Sequence, residues 1–454
     1  MAKSALITFG NEESYGLSFV GGELLRFGQE IKFFDGEYGD WLDIVKWNPD
    51  YLMFSPMTTF YAAAKKMVRV LRRAGLQAIT VFGGHHTMAR PDIVNTLDVD
   101  IAVVGPVRGA IEQILNGKTG LIRTCPTTPD DLPIPARKQY FLDIPRVATR
   151  YRKFVLSMLG CPWNCTYCSS SSGHIKDLFG AAAHKNYYLS HRSIDTVMAE
   201  VKEICGYDTK EIEWVDDDIF AGREPWLLEF LGRWQKEFPN IPMYVSTASV
   251  SAIKASDRLL KELRKCCNVI GMGVQAIRPT SLKMFNRQWD SEERMKMAYD
   301  RLTSYGFRVN LQGIVGLPID DPLEDAIETV MGMQRIGLGS ICSVYPLMIY
   351  EGTEMAKLCR DFPKNENSIG DTNTGICDLK LEHGEQIKNL CKWATFAVKY
   401  GIDEKLLRIL IEINCDKVSK DLSMLRYKEC VVDRLGSLGE TIFSDIIGSM
   451  KLKF

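Results

Sequence analysis

The chain has no excess of charge of either sign. Its 454 residues carry 56 Lys and Arg against 57 Asp and Glu, a formal net charge of -1, which supplies no electrostatic footprint for nucleic acid or an anionic membrane surface. It also lacks long apolar runs: "IAVV" and "SICSVYPLMIY" fall short of the roughly 20 residues needed to cross a bilayer, and "MAKSALITFG" reads as a strand, not a signal sequence. A secreted disulfide framework is excluded too, because the 13 cysteines are odd in number and irregularly spaced. These absences place the protein in a reducing cytoplasm, with no nucleic-acid or membrane partner.

What is present is alternation. From "SALITFG" through "EIKFFDGE", "YLMFSPMT", "QAITVFGG" and "VDIAVVG", short apolar runs alternate with helical patterns, which predicts a doubly wound parallel sheet of about five strands over residues 1–125. Its clearest helix carries Ala64, Met67, Val68 and Leu71 on one face and stops at Gly75. Prolines at 126, 129, 133, 135 and 145 punctuate residues 126–151, read as a linker. From 152 to 360 alternation restarts with six strand-helix units, too few for a closed eightfold barrel, so a partial (β/α)6 barrel is expected, its site at the carboxyl ends of the strands. Residues 361–380 are polar and turn-rich, a loop leading into a short helical C-terminal domain (361–454) where Ile387, Leu390, Cys391, Ala394 and Val398 keep helical spacing.

"GCPWNCTYC" at 160–168 puts Cys161, Cys165 and Cys168 just after the first barrel strand. Thiolates select zinc, copper(I) or iron-sulfur clusters, and a structural zinc site wants a fourth ligand. His174, His184 and His191 are the nearest candidates, but their spacing is irregular and there is no second CxxC. A cluster held by three cysteines instead leaves one iron open to a substrate or cofactor.

This CxxxCxxC loop, with Tyr167 before its last cysteine, resembles the signature of radical S-adenosylmethionine (SAM) enzymes. The resemblance extends over residues 152–355 through "WVDDDIF", "GMGVQ" and "GIVGLP". It implies a 4Fe-4S cluster on Cys161, Cys165 and Cys168, SAM on its open iron, and an electron donor such as ferredoxin or flavodoxin. Candidate SAM contacts are Tyr167, Asp216, Asp217, Asp218, Ser246, Gln275, Gly313 and Gly316. Each has a plainer reading: an acidic turn for the aspartates, satisfaction of a buried backbone group for Gln275, strand-end turns for the glycines. The family often carries Glu where this chain has Gln275, and Arg where it has Ser246 or Thr247.

In the first domain "FSPMT" and "FGGHHT" place Ser55, Thr58, Gly83, Gly84, His85, His86 and Thr87 at the carboxyl edge of the sheet, where doubly wound folds bind ligands. No GxGxxG follows the first strand, which argues against a dinucleotide. Joined to such a barrel, residues 3–115 resemble the cobalamin-binding domain of cobalamin-dependent radical SAM enzymes. The loop after the first strand, "GNEESYGLSF", has no histidine, so cobalt is expected to lack a lower histidine ligand. Gly105 opens "GPVRG" where that family has "GEGE".

The resemblance implies a methyltransferase using methylcobalamin to methylate an unactivated carbon. An N-terminal cobalamin domain, a barrel and a short tail resemble the peptidyl methyltransferases, including those acting on a glutamine of methyl-coenzyme M reductase, so a protein or peptide substrate is expected. A small-molecule C-methylase, a radical oxidase or cyclase such as the anaerobic porphyrin-ring cyclases, and a non-catalytic cobalamin or redox sensor are the alternatives.

Overall fold

The computed structural model describes residues 1–10, 12–366 and 376–413. The expectations for 367–375 and for the chain beyond 413 lie outside the described residues. Among the described residues no helix is long and apolar enough to cross a membrane.

The first sheet holds six parallel strands: β1 (Lys3–Thr8), β2 (Glu30–Asp35), β3 (Tyr51–Phe54), β4 (Ile79–Phe82), β5 (Ile101–Val104) and β6 (Gly120–Arg123), in the order β2-β1-β3-β4-β5-β6. The sixth, "GLIR", escapes a sequence reading because only Ile122 of it is buried. Both faces are apolar. Leu6, Phe33, Met53 and Ile122 enter one core and Ile7, Phe34, Leu52 and Phe82 the other, the period-2 alternation of strands covered on two sides. Helix Thr58–Arg73 buries the expected Ala64, Met67, Val68 and Leu71.

Residues 126–151 are not a free linker. They form helices Arg137–Asp143 and Pro145–Ala148, and Tyr140, Phe141, Ile144 and Val147 join the core beneath the first sheet. Arg137 is completely buried. Its Nε donates to Glu13 at 2.7 Å, Nη1 to Glu200 at 2.9 Å and Nη2 to the Phe154 carbonyl at 2.6 Å. Arg192 pairs with the same Glu200, and the Tyr15 hydroxyl donates to it at 2.7 Å. Two guanidinium and two carboxylate groups thus share a dry site, where removing one partner strands the others at a cost of about 3–5 kcal/mol.

The second sheet runs in sequence order: β7 (Arg152–Val155), β8 (Glu211–Trp214), β9 (Met243–Ala248), β10 (Cys267–Gln275), β11 (Arg308–Val315) and β12 (Ile341–Pro346). It is a curled half-barrel, as six strand-helix units require. Four of its described helices start on side-chain caps, Ser193, Ser256, Ser291 and Asp321 each accepting from a backbone N–H, at about 1 kcal/mol per cap. Helix Gly384–Tyr400 buries Ile387, Leu390, Cys391, Ala394 and Val398. The described ends of the turn-rich loop are pinned: Asn365 N–H donates to the Asp378 carbonyl at 2.8 Å, and Lys380 N–H to that of Pro363 at 2.9 Å.

By packing, the chain divides into two compact units. One comprises 1–164, 168–213 and 350–357, the other 165–167, 214–349 and 358 onward. The break therefore falls inside the barrel, not at the proline-rich segment.

Candidate functional site

In the first sheet the strand order reverses between β1 and β3, a switch point that leaves a crevice at the carboxyl edge. Small residues line it. Gly84 takes φ +80°, and a Cβ there would overlap Ser55 Oγ; a Cβ on Gly16 would lie 3.2 Å from the same oxygen. Gly105, at φ +108°, leaves no room for a Cβ beside the Thr124 carbonyl. Gly83 and Ser55 are half-buried. At the carboxyl ends of β3, β4 and β5 the backbone therefore packs closely, and only glycine is accommodated at positions 84 and 105.

The other candidates at this edge divide between inside and outside. His86 is buried, its Nδ1 3.2 Å from Thr58 Oγ1 and its ring stacked 4.1 Å from Tyr61. Burial, then Arg90 and Lys65, lower its pKa to about 4, so it stays neutral. Thr87 is also internal, donating to the Gly83 carbonyl at 3.0 Å, whereas His85 is exposed. In the histidine-free loop after β1, Glu12 is exposed and Glu13 is held by Arg137.

The cysteine loop leaves β7 through Gly160, whose φ of +80° and close approach to Tyr188 exclude a side chain. Cys161 and Cys168 are half-buried and Cys165 is buried. The three histidines have partners of their own: His184 Nε2 lies 3.4 Å from the Cys161 carbonyl, His191 Nδ1 is 3.1 Å from Ser157 Oγ, and His174 contacts the backbone of Gly352. Among the described residues no three His, Cys, Asp or Glu side chains form a ready metal cage. The loop fits a cluster by its donor chemistry, three soft thiols without a fourth, and not by a preformed arrangement.

Within the second unit the middle of this loop is fixed. Thr166 Oγ1 donates to the Met284 carbonyl at 2.7 Å, Thr166 N–H to that of Phe285 at 3.2 Å, and Tyr167 meets the Phe285 ring edge-on at 4.7 Å. The same turn carries Arg287, which sequence reasoning missed. It is buried; Nη2 donates to the Gly273 carbonyl at 2.8 Å and to Asp290 at 3.0 Å, and the guanidinium lies 4.6 Å over Trp289. Burial opposes its charge, but Tyr167, Cys165 and Asp290 outweigh burial and raise its pKa. Its buried Nε has no acceptor. A fixed cation with an unused N–H, beside Cys165, can hold an anionic oxygen. "NRQW" gives no motif that signals this.

The strand-end candidates behave unequally. Asp217 is exposed and Asp216 buried. Asp218 lies inside, accepting from Thr247 Oγ1 at 2.8 Å and Ser251 Oγ at 2.6 Å, so it ties β9 to the helix that follows it. Gln275 takes φ +68° and is half-buried, as is Ser246. A Cβ on Gly313 would press on Met333 Sδ at 3.0 Å, and Gly316, at φ +81°, sits against Cys377. Both glycines make room for protein packing.

Residues 155–330 match the profile of the radical SAM superfamily. The chain is similar to an uncharacterized methyltransferase of Pyrococcus horikoshii, 20% identical over 366 residues, 73% of this chain and 76% of the relative. Its fold resembles two solved structures. One is the radical SAM methyltransferase TsrM from Kitasatospora setae, bound to cobalamin and a [4Fe-4S] cluster: TM-score 0.60, 15% identity, 81% of this chain and 76% of that one. The other is the cobalamin-dependent SAM radical enzyme OxsB, bound to aqua-cobalamin and SAM: TM-score 0.64, 13% identity, 100% of this chain and 76% of that one. The cysteine loop and strands β8 to β11 of the half-barrel lie within the residues, 155–330, that match the radical SAM superfamily.

Proposed function

We propose that the chain is a cobalamin-dependent radical SAM methyltransferase that methylates an unactivated carbon of a protein side chain, with a glutamine of methyl-coenzyme M reductase as the specific substrate. The observation that carries the class is the pairing of two features in one chain: a cysteine loop in a radical SAM domain and a glycine-lined switch-point edge on a separate doubly wound sheet. TsrM and OxsB, whose folds resemble this one, bind cobalamin, and the Pyrococcus relative is named a methyltransferase.

Cys161, Cys165 and Cys168 would hold the cluster, and the edge at Ser55, Gly83, Gly84 and Gly105 the cobalamin. When bound, the cluster with SAM supplies a hydrogen-abstracting 5'-deoxyadenosyl radical and cobalamin supplies the methyl group. Arg287, fixed by Asp290 and the Gly273 carbonyl, would orient an anionic oxygen beside the Cys165 thiolate. Asp218 holds Thr247 and Ser251 and so keeps the end of β9 in place. The reaction draws electrons from a ferredoxin or flavodoxin in a reducing cytoplasm.

The test is anaerobic turnover with SAM and a reductant. Formation of both 5'-deoxyadenosine and S-adenosylhomocysteine, with a 14-dalton gain on a peptide spanning the glutamine, is the expected result. 5'-Deoxyadenosine alone would mark an oxidase or cyclase, no turnover a sensor, and methylation confined to a panel of lipids and porphyrins a small-molecule methylase.

A further inference from the structure

One helix start grips the cysteine loop at several points. Helix Ser172–Ala183 is capped by Ser171, whose hydroxyl accepts from the His174 N–H. The neighbouring N–H groups turn to the loop: Ser171 donates to the Cys168 carbonyl at 3.2 Å, Ser172 to the Trp163 carbonyl at 2.9 Å and Gly173 to Asn164 Oδ1 at 2.9 Å. Donors that a helix start leaves without intrahelical partners are thus used up by the loop. They fix Trp163, Asn164 and Cys168. Gly160 and Cys161, where the loop begins, are met by a different turn.

That turn lies at the far end of the same helical segment. Gly180 breaks the helix, with φ +86° and ψ 162°, and a π-helical turn, His184–Tyr188, follows Ala183. His184 is buried, with Nε2 3.4 Å from the Cys161 carbonyl; a carbonyl only accepts, so Nε2 is the donor. A Cβ on Gly160 would lie 2.9 Å from both the Cβ and the carbonyl oxygen of Tyr188, so the residue before Cys161 rests directly on the turn. Tyr188 is itself held, its ring stacked on Phe179 at 5.5 Å and edge-on to Tyr187 at 5.0 Å, in a small apolar cluster with Ile175 and Leu159. Wide turns of this kind are rare and recur at functional sites. This one sets His184 and Tyr188 against consecutive loop residues, Cys161 and Gly160.

We propose that His184 is a positioning residue for Cys161: its Nε2–H holds the Cys161 peptide while Tyr188 seats Gly160, so that the first of the three thiols is aimed before iron arrives. The assignment rests on the reading of Cys161, Cys165 and Cys168 as cluster ligands and names the element that orients one of them. Ordering a loop residue costs backbone entropy. An untethered Cys161 would meet that cost whenever its sulfur closed on iron, whereas an anchored peptide has met it on folding. The helix start does the same for Cys168 through its carbonyl. One helical segment, doubled back at Gly180, thus serves both ends of the loop. The histidine that spacing offers as a fourth ligand acts instead through the peptide group of the first.

The test uses the full chain with its cluster reconstituted anaerobically, without SAM, and follows the loss of visible absorbance as an excess of a ferrous chelator takes up the iron. His184→Ala is expected to release iron about threefold to tenfold faster than the unsubstituted chain, the worth of one hydrogen bond. His184→Gln, whose amide nitrogen falls where Nε2 was, should restore the rate to within about twofold. His184→Asn, whose amide matches Nδ1 instead, should behave like His184→Ala. Lys185→Ala, exposed on the same turn, should leave the rate unchanged. Equal release from His184→Ala and the unsubstituted chain overturns the assignment. So do equal rates in the Gln and Asn variants, which would mean that the imidazole only fills space, and this pair decides the matter even where His184→Ala does not fold. An unsubstituted chain that takes up no iron overturns the cluster reading and the assignment with it; a normal cluster with indifferent variants overturns the assignment alone.

Discussion

The two sheets have the same number of parallel strands, six each, and use them in opposite ways. The first is closed on both faces by apolar cores, and its strand order reverses between β1 and β3. The second never reverses. Its strands follow one another from β7 to β12, one face buries Val309, Leu311 and Val315, and the other presents Ser246, Asn310, Gln312 and Ser343.

Separate loss of the two cofactors would sharpen this contrast most. Cys161→Ala, Cys165→Ala or Cys168→Ala is expected to remove most bound iron and all 5'-deoxyadenosine formation, with cobalamin content unchanged, as read by iron assay and visible absorbance. The same change at Cys205 or Cys391 should leave the iron in place. If cobalamin left with the iron, edge and face would not be independent sites.

Stability is the next separation. Phe82→Ala, in the closed first sheet, should cost about 3–5 kcal/mol in urea melts. Gln312→Leu, on the open face, should cost at most about 1 kcal/mol. Similar costs would mean that the inner face is a packed core. At the edge, Gly84→Ala must accept an unfavourable φ and displace Ser55; about 1–3 kcal/mol of strain should appear chiefly as lost cobalamin with iron retained.

The smallest expected effect is pH-dependent. His86 titrates near 4 in the fold because it is buried, then because of Arg90 and Lys65, against about 6.5 when unfolded. Between those values the unfolded chain binds more protons, so this contribution to stability is complete above pH 6.5 and is lost as pH falls toward 4. In His86→Phe that part of the acid limb should flatten in thermal melts. An unchanged limb would show that the imidazole is not held neutral.

Patterns with a period or a fixed spacing were legible from the residues. The six units of the half-barrel, the face of helix Thr58–Arg73 and the tail helix with Ile387 and Leu390 all follow from apolar recurrence. What was not legible is polar burial. Asp218 reads as part of an acidic turn, yet faces two hydroxyls inside. Arg287 is one arginine among many until the chain from Thr166 closes on its turn. Gln312 alternates with Leu311 as a solvent-facing residue would, because period-2 alternation separates two faces without saying what lies over either. The helices within 126–151 were hidden by prolines at their boundaries, where proline is well tolerated.

The buried charges around Arg137 have a consequence for anyone dividing this chain. A fragment ended at residue 125, where composition invites a cut, would keep Glu13 and lose both Arg137 and Arg192; a fragment begun at 152 would keep Arg192 and Glu200 and lose Arg137. Each half would expose an interior built for a neutral quartet and now carrying a charge without its counterpart. Dividing the chain without this loss requires keeping the four charged residues, Glu13, Arg137, Arg192 and Glu200, together as a set.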